Sequence, residues 1–457
     1  MVRSWKWTGD KLILRAARRM GAEQATLELV PQSSAKALVA TIAAARQARC
    51  EQLAQLVAQT SAGDLVANHK LESGPLKIEQ AALSPGVRRD QPGRYARVIL
   101  RLPHERLALT ATVAQSDVRN IDSLFSSALL WFQRLSQSPK RPPVNRLLLI
   151  IEQPIVEAVR QRHALLSNSF RERIHVLQID DAWTEVTAVG PVGRAQLWRK
   201  RLARFLPVKE TDPIDESRNL VAAAPSAIDI VAARHGQTLR YHGLPFARVR
   251  RVMGRNRIWF GIDGAPPRLL DDYHRRDWQK LCEDLQTYRD AQCRDRRHWL
   301  YRAAGEAWLE SIMRRDITKL DPGLIIAPLH AQFRTAHGRP GGARPIDLLA
   351  LRQDGRLVVI ELKVSEDREH VFQGVDYWRR VEAHRRRGHI SAAKLFGDRQ
   401  ISDESPLVYL VAPALRFHPS FGSLARMIAP DVEIYRFDIN EDWRGGVRVV
   451  RRECANS

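Results

Sequence analysis

Apolar and polar residues alternate along the chain in two rhythms, one typical of helices and one typical of strands. In the first half, the helical rhythm predicts helices at Ser34–Gln59, Asp117–Leu135, Ile155–Ala164 and Arg194–Phe205. Short apolar runs predict strands at Tyr95–Leu102, Arg146–Ile151 and Ile174–Ile179. Helices and strands therefore mix throughout this half, which indicates an α/β region.

The second half continues with both kinds of element. Strands are predicted at Thr238–Tyr241, Phe246–Val252, Arg257–Ile262, Gly323–Ala327, Leu407–Ala412 and Val432–Phe437. Helices are predicted at Trp299–Asp316 and Val371–Arg386. The charged, proline-bearing segment Pro207–Arg218 has no periodicity and predicts a domain boundary. We therefore expect an N-terminal α/β region at 1–206 with a loop or linker near 136–144, a connecting region at 219–290, and a C-terminal domain at 291–457.

Composition and charge narrow the class of protein. The chain has 457 residues, with 73 Lys and Arg against 51 Asp and Glu, which gives a formal net charge of +22. A basic excess spread along a folded chain favours a polyanionic partner. Apolar runs such as Leu147–Ile151 are far too short to span a membrane. Four widely spaced cysteines and an N-terminus without an apolar signal segment favour a cytoplasmic protein with reduced thiols.

The segment Pro345–Val364 carries the most informative pattern. Two runs dense in Leu, Ile and Val flank Gln353-Asp354-Gly355, which predicts a β-hairpin buried on both faces. A two-residue loop would place Asp347 opposite Leu362. A three-residue loop with Gly355 in the left-handed conformation places Asp347 opposite Glu361 instead. We predict the second geometry.

This hairpin would bury three charged side chains together. Because side chains alternate along a strand, Glu361 and Lys363 share one face, and the predicted register adds Asp347 to it. Two converging carboxylates suit a hard divalent cation such as Mg²⁺ or Mn²⁺. A lysine beside them can orient water or offset charge on a phosphoryl oxygen. The alternative is a buried ion-pair network with a structural role.

Asp347, a hairpin and the run Glu361-Leu362-Lys363 resemble the D…ExK signature of the PD-(D/E)XK nuclease superfamily. Pro345 is one position out of register for the literal PD pair. Gln373 and Tyr377, four residues apart, resemble the QxxxY element of RecB-like and NucS-like members. The resemblance covers roughly residues 299 to 438. It implies a restriction-endonuclease-like αβββαβ core with a mixed central sheet.

The resemblance also implies a role for each matched residue. Asp347, Glu361 and the backbone carbonyl of Leu362 would hold Mg²⁺ or Mn²⁺. Lys363 would position the attacking water, Glu306 would assist at the metal, and Gln373 would help to fix the site. Glu306 and its neighbour Glu310 could equally be solvated helix residues.

Two basic runs and a glycine-rich loop are candidate contacts to a phosphate backbone. The arginines are Arg248, Arg250, Arg251, Arg385, Arg386 and Arg387. The loop His337–Arg344 could cradle a phosphate, although such loops are more often simple connections.

The expected function is hydrolysis of phosphodiester bonds in DNA by a metal-dependent nuclease, in a setting of DNA repair or defence. One alternative is a catalytically inactive nucleic-acid-binding or assembly protein with the same fold, and another is a nuclease acting on RNA. No membrane partner is expected. A homodimer and a separate ATP-dependent partner chain stay open, as do the substrate structure, endonuclease or exonuclease action and the role of the N-terminal region.

Overall fold

The computed structural model describes residues 12–20, 25–31, 35–60, 65, 76–86, 93–114, 120–139, 142–199, 212–233, 235–262, 266–333 and 345–456. The chain divides into two compact units. The first comprises residues 1–164 and 168–192, and the second comprises residues 165–167 and 193–457. Each unit combines helices with β-sheet, so the mixed α/β prediction is confirmed.

The described helices, α1 to α11 in chain order, are Ala35–Gln59, Ile121–Ser136, Val156–His163, Asn168–Arg171, Asp215–Ala223, Arg275–Tyr288, Trp299–Arg302, Gly305–Arg315, His370–Arg385, His389–Ala392 and Phe421–Ala425. The described strands, β1 to β19, are Leu12–Met20, Ala25–Pro31, Lys77–Leu83, Tyr95–Arg101, Arg106–Thr112, Val144–Glu152, Ile174–Ile179, Val186–Val189, Ile228–Ala233, Gly236–Tyr241, Leu244–Val252, Arg255–Phe260, Arg268–Leu269, His330–Phe333, Ile346–Leu351, Leu357–Leu362, Leu407–Pro413, Ile434–Ile439 and Val449–Cys454.

The first unit is organised around a six-stranded sheet in the order β3-β4-β5-β6-β7-β8. Helix α1 buries Cys50, Leu53, Ala54 and Val57 against this sheet. Their spacing of three or four residues places them on one helical face. Strands β1 and β2 form a separate antiparallel pair. The predicted linker near 136–144 joins α2 to β6 inside this unit.

The second unit contains a six-stranded sheet in the order β14-β15-β16-β17-β18-β19. Its successive neighbours are antiparallel, antiparallel, parallel, parallel and antiparallel. The six-stranded sheet of the first unit has the same series of relations. The two units therefore share one strand topology, although the chain carries no visible sequence repeat.

Apolar side chains on both faces of β15 and β16 explain why these strands occupy the middle of the sheet. Leu348, Val358 and Ile360 pack on one face, in the same core as Trp308 of α8. Leu349 and Val359 pack on the other face, in the same core as Tyr377 and Val381 of α9. The prediction that this hairpin is buried on both faces is confirmed.

The second unit also contains a five-stranded antiparallel sheet in the order β13-β12-β11-β10-β9. Its backbone meets α8 closely, because a Cβ atom on Gly243 would lie 2.0 Å from the carbonyl oxygen of Ala307. His242 stacks on Trp308 with ring centroids 5.1 Å apart. The sheet is thus packed directly against the helix that carries Glu306.

Three predicted elements differ from the structure. The helix predicted at Trp299–Asp316 is two helices, α7 and α8, with Ala304 between them at φ 44°. The fully buried guanidinium of Arg289 donates to the carbonyl oxygens of Leu300 and Ala303 at 2.8 and 2.7 Å. Those oxygens would accept backbone hydrogen bonds in a continuous helix, so the helix is interrupted there.

The strand predicted at Gly323–Ala327 is also wrong. Only Leu324 pairs, in an isolated bridge to Arg352, and the edge strand of the sheet is β14 instead. Leu324 and Ile325 lie in a loop and are buried, which explains why these positions are apolar. The helix predicted at Arg194–Phe205 begins as a short 3-10 helix, Arg194–Trp198, and its remainder from residue 200 onward lies outside the described residues.

Cys50, Cys282, Cys293 and Cys454 are free thiols in the structure. Within the described residues, none of the helices combines the length and the apolar character that a membrane span requires. The loop His337–Arg344 lies outside the described residues.

Candidate functional site

The β15–β16 hairpin has the predicted register. Leu348 pairs with Ile360 and Leu351 with Leu357, a register that sets Asp347 opposite Glu361. The amide of Arg352 donates to the carbonyl oxygen of Arg356 at 2.9 Å, which closes a three-residue loop. Gly355 has φ 80°, the left-handed conformation expected for this loop. The sequence prediction for the hairpin is therefore confirmed.

Gly355 offers a direct test of this turn. A Cβ atom there would lie 2.7 Å from the carbonyl oxygen of Gln400, in addition to the strain of a positive φ. We expect Gly355→Ala to lower the free energy of unfolding by about 2–3 kcal/mol in urea denaturation. Gly397 is the matched control, since it has φ 65° and a Cβ atom on it would meet no other atom within 4 Å. Gly397→Ala should cost only about 1 kcal/mol, and equal losses in both variants would contradict this account.

Asp347, Glu361 and Lys363 come together at the open end of the hairpin, away from the turn. The Lys363 Nζ atom donates to Glu361 Oε1 at 2.7 Å, and Asp347 Oδ2 accepts from the amide of Leu362 at 2.9 Å. Glu361 is 2% exposed and Lys363 is 8% exposed. In a strand the N–H and C=O groups of one residue point toward the same neighbouring strand. The Leu362 carbonyl therefore points toward β15, the strand that carries Asp347. The three charged residues form a compact, largely buried group.

Burial shifts the protonation equilibria of this group. Burial raises the pKa of Glu361 well above its ordinary value, and the charge of Asp347 raises it further. Burial also raises the pKa of Asp347, against the opposing effect of the Leu362 amide. Burial alone would lower the pKa of Lys363, but the charges of Glu361 and Glu306 outweigh it and raise that pKa. Lysine therefore stays charged while the carboxylates compete for protons.

Glu361 Oε2 is the polar atom of this group that lacks a donor. It is buried and receives no hydrogen bond from an N–H or O–H group of the described residues, so only a proton held on Asp347 could serve it. A buried carboxylate oxygen without a donor calls for a proton or a cation. Two carboxylates and a backbone carbonyl are the oxygen ligands that Mg²⁺ and Mn²⁺ take, with water completing the shell. The donor set thus fits a divalent cation.

Protein ligands alone do not complete such a site. Within the described ranges, no three His, Cys, Asp or Glu side chains are grouped as ligands around one point. Lys363 lies against one side of Glu361 and occupies part of the space near the carboxylates. A cation at Asp347 and Glu361 would accordingly rely on water or substrate oxygens for most of its shell.

Glu306 lies in the first turn of α8 with its side chain 45% exposed, and its Oε1 atom is 3.8 Å from Lys363 Nζ. Asp367 Oδ2 is 3.9 Å from the same nitrogen. The predicted residue Gln373 is 2% exposed, and its amide donates to Glu369 Oε2 at 3.4 Å. Among the described hydrogen bonds, Gln373 is tied to Glu369 and not to the carboxylate pair. Its role at the site stays a prediction.

Glu310 is not a solvated residue, contrary to the alternative considered from sequence. It is 3% exposed, and its Oε2 atom accepts from Gln332 Nε2 at 2.7 Å. The same Gln332 amide lies 3.5 Å from Asp347 Oδ1. Gln332 has φ 49°, a strained conformation for a residue with a side chain. Gln332 thus links the helix-borne Glu310 to Asp347.

His370 is a second residue that the sequence did not indicate. Its Nε2 atom lies 3.3 Å from the carbonyl oxygen of Glu361. Burial, followed by the charge of Lys363, lowers the pKa of His370 to about 3, so the ring is neutral and donates to that oxygen. His370 therefore fixes the strand backbone beneath Glu361. Neither Gln332 nor His370 belongs to a spaced motif, and only the fold brings them to the site.

The first unit carries no carboxylate at the matching place. The pair Asp347 and Glu361 lies four pairs beyond Leu351–Leu357, which is the pair next to the turn. In β4 and β5 the pair at the same distance from the turn is Arg97 with Thr110. Arg97 donates to Ser127 Oγ at 3.1 Å, and Thr110 is 1% exposed. The shared topology thus holds the acidic group only in the second unit.

The predicted nucleic-acid contacts differ in availability. Arg385 forms two hydrogen bonds with the buried carboxylate of Glu382, and Arg387 donates to the carbonyl oxygens of Ala383 and Trp198. Arg386 also reaches Glu382 but keeps 47% of its side chain exposed. Arg248, Arg250 and Arg251 are exposed on β11.

Comparisons of the chain with protein-family models, with curated proteins and with solved structures found no match. The chemistry of the site itself therefore carries the functional proposal.

Proposed function

We propose that the second unit is a metal-dependent nuclease that hydrolyses phosphodiester bonds in DNA. The observation that carries this proposal is the group formed by Asp347, Glu361 and Lys363 at the end of the β15–β16 hairpin. A structural ion pair needs one acid for one base, whereas here a buried lysine faces two carboxylates and one carboxylate oxygen lacks a donor. The excess acid favours a cation-binding role.

The assignment to a restriction-endonuclease-like core is part of the proposal. It is supported by the order of elements α8, β14, β15, β16, α9, β17, which follows αβββαβ apart from the short helix α10 between α9 and β17, and by the parallel pairing of β16 with β17. The first unit has the same strand relations without carboxylates at the position that matches Asp347 and Glu361, so we assign cleavage to the second unit and a non-catalytic role to the first.

Each residue has a chemical task in this proposal. Asp347, Glu361 and the Leu362 carbonyl would hold Mg²⁺ or Mn²⁺, which supplies a Lewis acid beside the phosphoryl oxygen when bound. Lys363 stays protonated, so it orients water and offsets negative charge on the phosphoryl group. Glu306 and Asp367 hold the lysine ammonium from the exposed side. Gln332 and His370 restrain the two carboxylate-bearing strands.

DNA contact is proposed for the β-hairpin formed by β11 and β12. Arg248, Arg250, Arg251, Arg255 and Arg257 are exposed on it, and none has an ion pair or hydrogen bond from its side chain among the described residues. Arg250 lies directly opposite Arg257, a like-charge pair that costs stability without an anion between them. Met253, at the tip, is 96% exposed. A basic ribbon of this kind suits the phosphate backbone of nucleic acid.

This contact gives a salt-dependence test. Replacing Arg250 and Arg257 with Gln should weaken DNA binding and reduce the slope of log K against log salt by about 0.9 for each phosphate that the variant no longer neutralises. The matched control is Arg399→Gln with Arg426→Gln, which removes the same charge from exposed positions elsewhere in the unit. Fluorescence anisotropy across a salt series measures both. An unchanged slope in the hairpin variant, or an equal reduction in the control, would contradict the proposed DNA contact.

The activity is tested with end-labelled single-stranded DNA, double-stranded DNA and RNA, each incubated in Mg²⁺, Mn²⁺ or EDTA. We expect cleavage products from DNA in Mg²⁺ or Mn²⁺ and none in EDTA. Products from RNA alone would assign the site to the RNA-directed alternative. Tight binding without products in either metal would favour the non-catalytic binding protein.

A further inference from the structure

A cavity of about 520 Å³ opens beside the group formed by Asp347, Glu361 and Lys363. Its wall includes Val364 and Ser365, which directly follow Lys363, and Gly305, which directly precedes Glu306. Cavities of this size accommodate a small organic ligand or a single nucleotide. The cavity is therefore placed to receive the part of a substrate that lies next to the proposed cleavage point.

Four arginines from three separate segments of the chain converge on this cavity. They are Arg296, Arg302, Arg416 and Arg444. The lining contains one acid, Glu441, whose Oε2 atom is 3.7 Å from Arg416 and whose Oε1 atom accepts from the amide of Leu415 at 2.8 Å. Arg296 and Arg302 are exposed, and among the described residues neither forms an ion pair within 4 Å, although the charge of Arg296 helps to lower the pKa of the nearby Asp442. The lining thus keeps a strong positive excess.

Arg444 forms the base of this positive lining. Its guanidinium lies over the rings of Trp443 and Tyr301, at 4.2 and 4.4 Å from their centroids. Its Nε atom is buried without a hydrogen-bond partner, and its only hydrogen bond runs from Nη2 to the carbonyl oxygen of Tyr301 at 3.5 Å within the described structure. Aromatic stacking fixes the plane of the guanidinium without neutralising its charge. The charge stays available to an anion.

The position of Gly305 adds a further positive contribution. Gly305 is the first residue of α8, an eleven-residue helix, and the positive end of the helix dipole lies at the cavity. Backbone amides at a helix start favour phosphate, and arginines bind phosphate through paired N–H groups. The chemistry of the lining therefore selects a phosphoryl group over a neutral ligand.

We propose that this cavity binds the terminal phosphate monoester of a nucleic-acid strand and so directs the proposed nuclease to strand ends. A terminal phosphate carries a charge of about −1.5 to −2 at neutral pH, whereas an internal phosphodiester carries one charge. Four guanidinium groups with one acid match the terminal group better. The inference rests on the proposed function for its nuclease part, but the phosphate site stands on the cavity alone.

The test measures binding without cleavage, in EDTA. Short labelled DNA strands carrying a 5′-phosphate, a 3′-phosphate or hydroxyl ends are titrated with the full chain, and free inorganic phosphate serves as competitor. We expect one phosphorylated end to bind about tenfold more tightly than hydroxyl ends, with phosphate competing for that advantage. The 5′ and 3′ arms identify the end that is bound.

Variants make the result specific to the cavity. In the double variant Arg296→Gln with Arg302→Gln, the affinity for phosphorylated ends should fall close to the affinity for hydroxyl ends. Binding to hydroxyl-ended DNA should persist. The Arg399→Gln and Arg426→Gln control should keep the full ratio. Equal affinity for all three ends in the wild type, or a ratio retained by the cavity variant, would overturn the inference. Preference for phosphorylated ends in EDTA, together with no cleavage of the same strands in Mg²⁺ or Mn²⁺, would instead overturn only the proposed nuclease activity.

Discussion

Replacing Lys363 with alanine should slow DNA cleavage at least about 100-fold, because it removes the cation that faces the phosphoryl group. DNA affinity should stay within about threefold of the wild type, since Lys363 is 8% exposed and cannot contribute much to backbone contacts. Single-turnover cleavage and fluorescence anisotropy measure the two effects separately.

Lys394→Ala is the matched control for this variant. Lys394 is exposed, and its Nζ atom pairs with Asp398 at 2.8 Å, away from the carboxylate group. It should cleave at the wild-type rate. Thermal denaturation should also show that Lys363→Ala is folded, because Glu361 can take up a proton once its partner is removed. A Lys363→Ala variant that is folded and fully active would show that the lysine has no part in the chemistry.

The second large effect that we expect is a change in the stability of the folded protein with pH and with a bound divalent cation. The pKa of Glu361 in the folded protein lies above its ordinary value of 4.5, so the folded state binds more protons than the unfolded state as the pH rises past that value. Stability contributed by this site therefore falls as the pH rises from 4.5 toward the folded pKa. A divalent cation that replaces the proton should restore it, and more strongly at higher pH.

We accordingly expect Mn²⁺ at 100 times its dissociation constant to raise the melting temperature at pH 8 by about 5 °C, and to raise it less at pH 5.5. Glu361→Gln removes a buried acid and also the carboxylate paired with Lys363, so its melting temperature with Mn²⁺ is compared with its own melting temperature in EDTA at pH 8. This variant should lose the response to Mn²⁺. Glu441→Gln is the matched control, and it should respond to Mn²⁺ like the wild type. An equal metal response in Glu361→Gln would place the cation elsewhere.

The hairpin is the part of the site that sequence could predict fully. Its register depends on a local rule, because one glycine with positive φ sets the loop length and the loop sets which side chains share a face. Asp347, Glu361 and Lys363 follow from that register. Most of the strands and helices that the local pattern predicted lie within a few residues of observed ones, whereas other strands, such as β5 and β9, were not predicted.

Other parts of the site depend on distant segments and could not be predicted. The break between α7 and α8 is caused by Arg289, which takes carbonyl oxygens from a helix that follows it in sequence. Glu310 is buried because Gln332 reaches it from β14. The arginine-lined cavity combines segments near residues 300, 416 and 444. Sequence spacing carries no signal for such contacts.

The shared topology of the two units was equally hidden. The six-stranded sheets have the same neighbour relations, yet the residues at the matching position are Arg97 and Thr110 in one and Asp347 and Glu361 in the other. Apolar residues specify a buried strand in both cases, and many apolar sequences meet that requirement. The fold is retained in the first unit without the acidic residues.

The most direct test of the metal-dependent nuclease is the single-turnover cleavage of end-labelled DNA by the wild type and by Asp347→Asn, across a series of Mn²⁺ concentrations. The wild type should show a rate that rises with Mn²⁺ and saturates. Asp347→Asn keeps the size of the side chain but removes its charge, and its rate should stay at background at every Mn²⁺ concentration. Cleavage by Asp347→Asn at the wild-type rate, or no cleavage by the wild type at any concentration, would contradict the account.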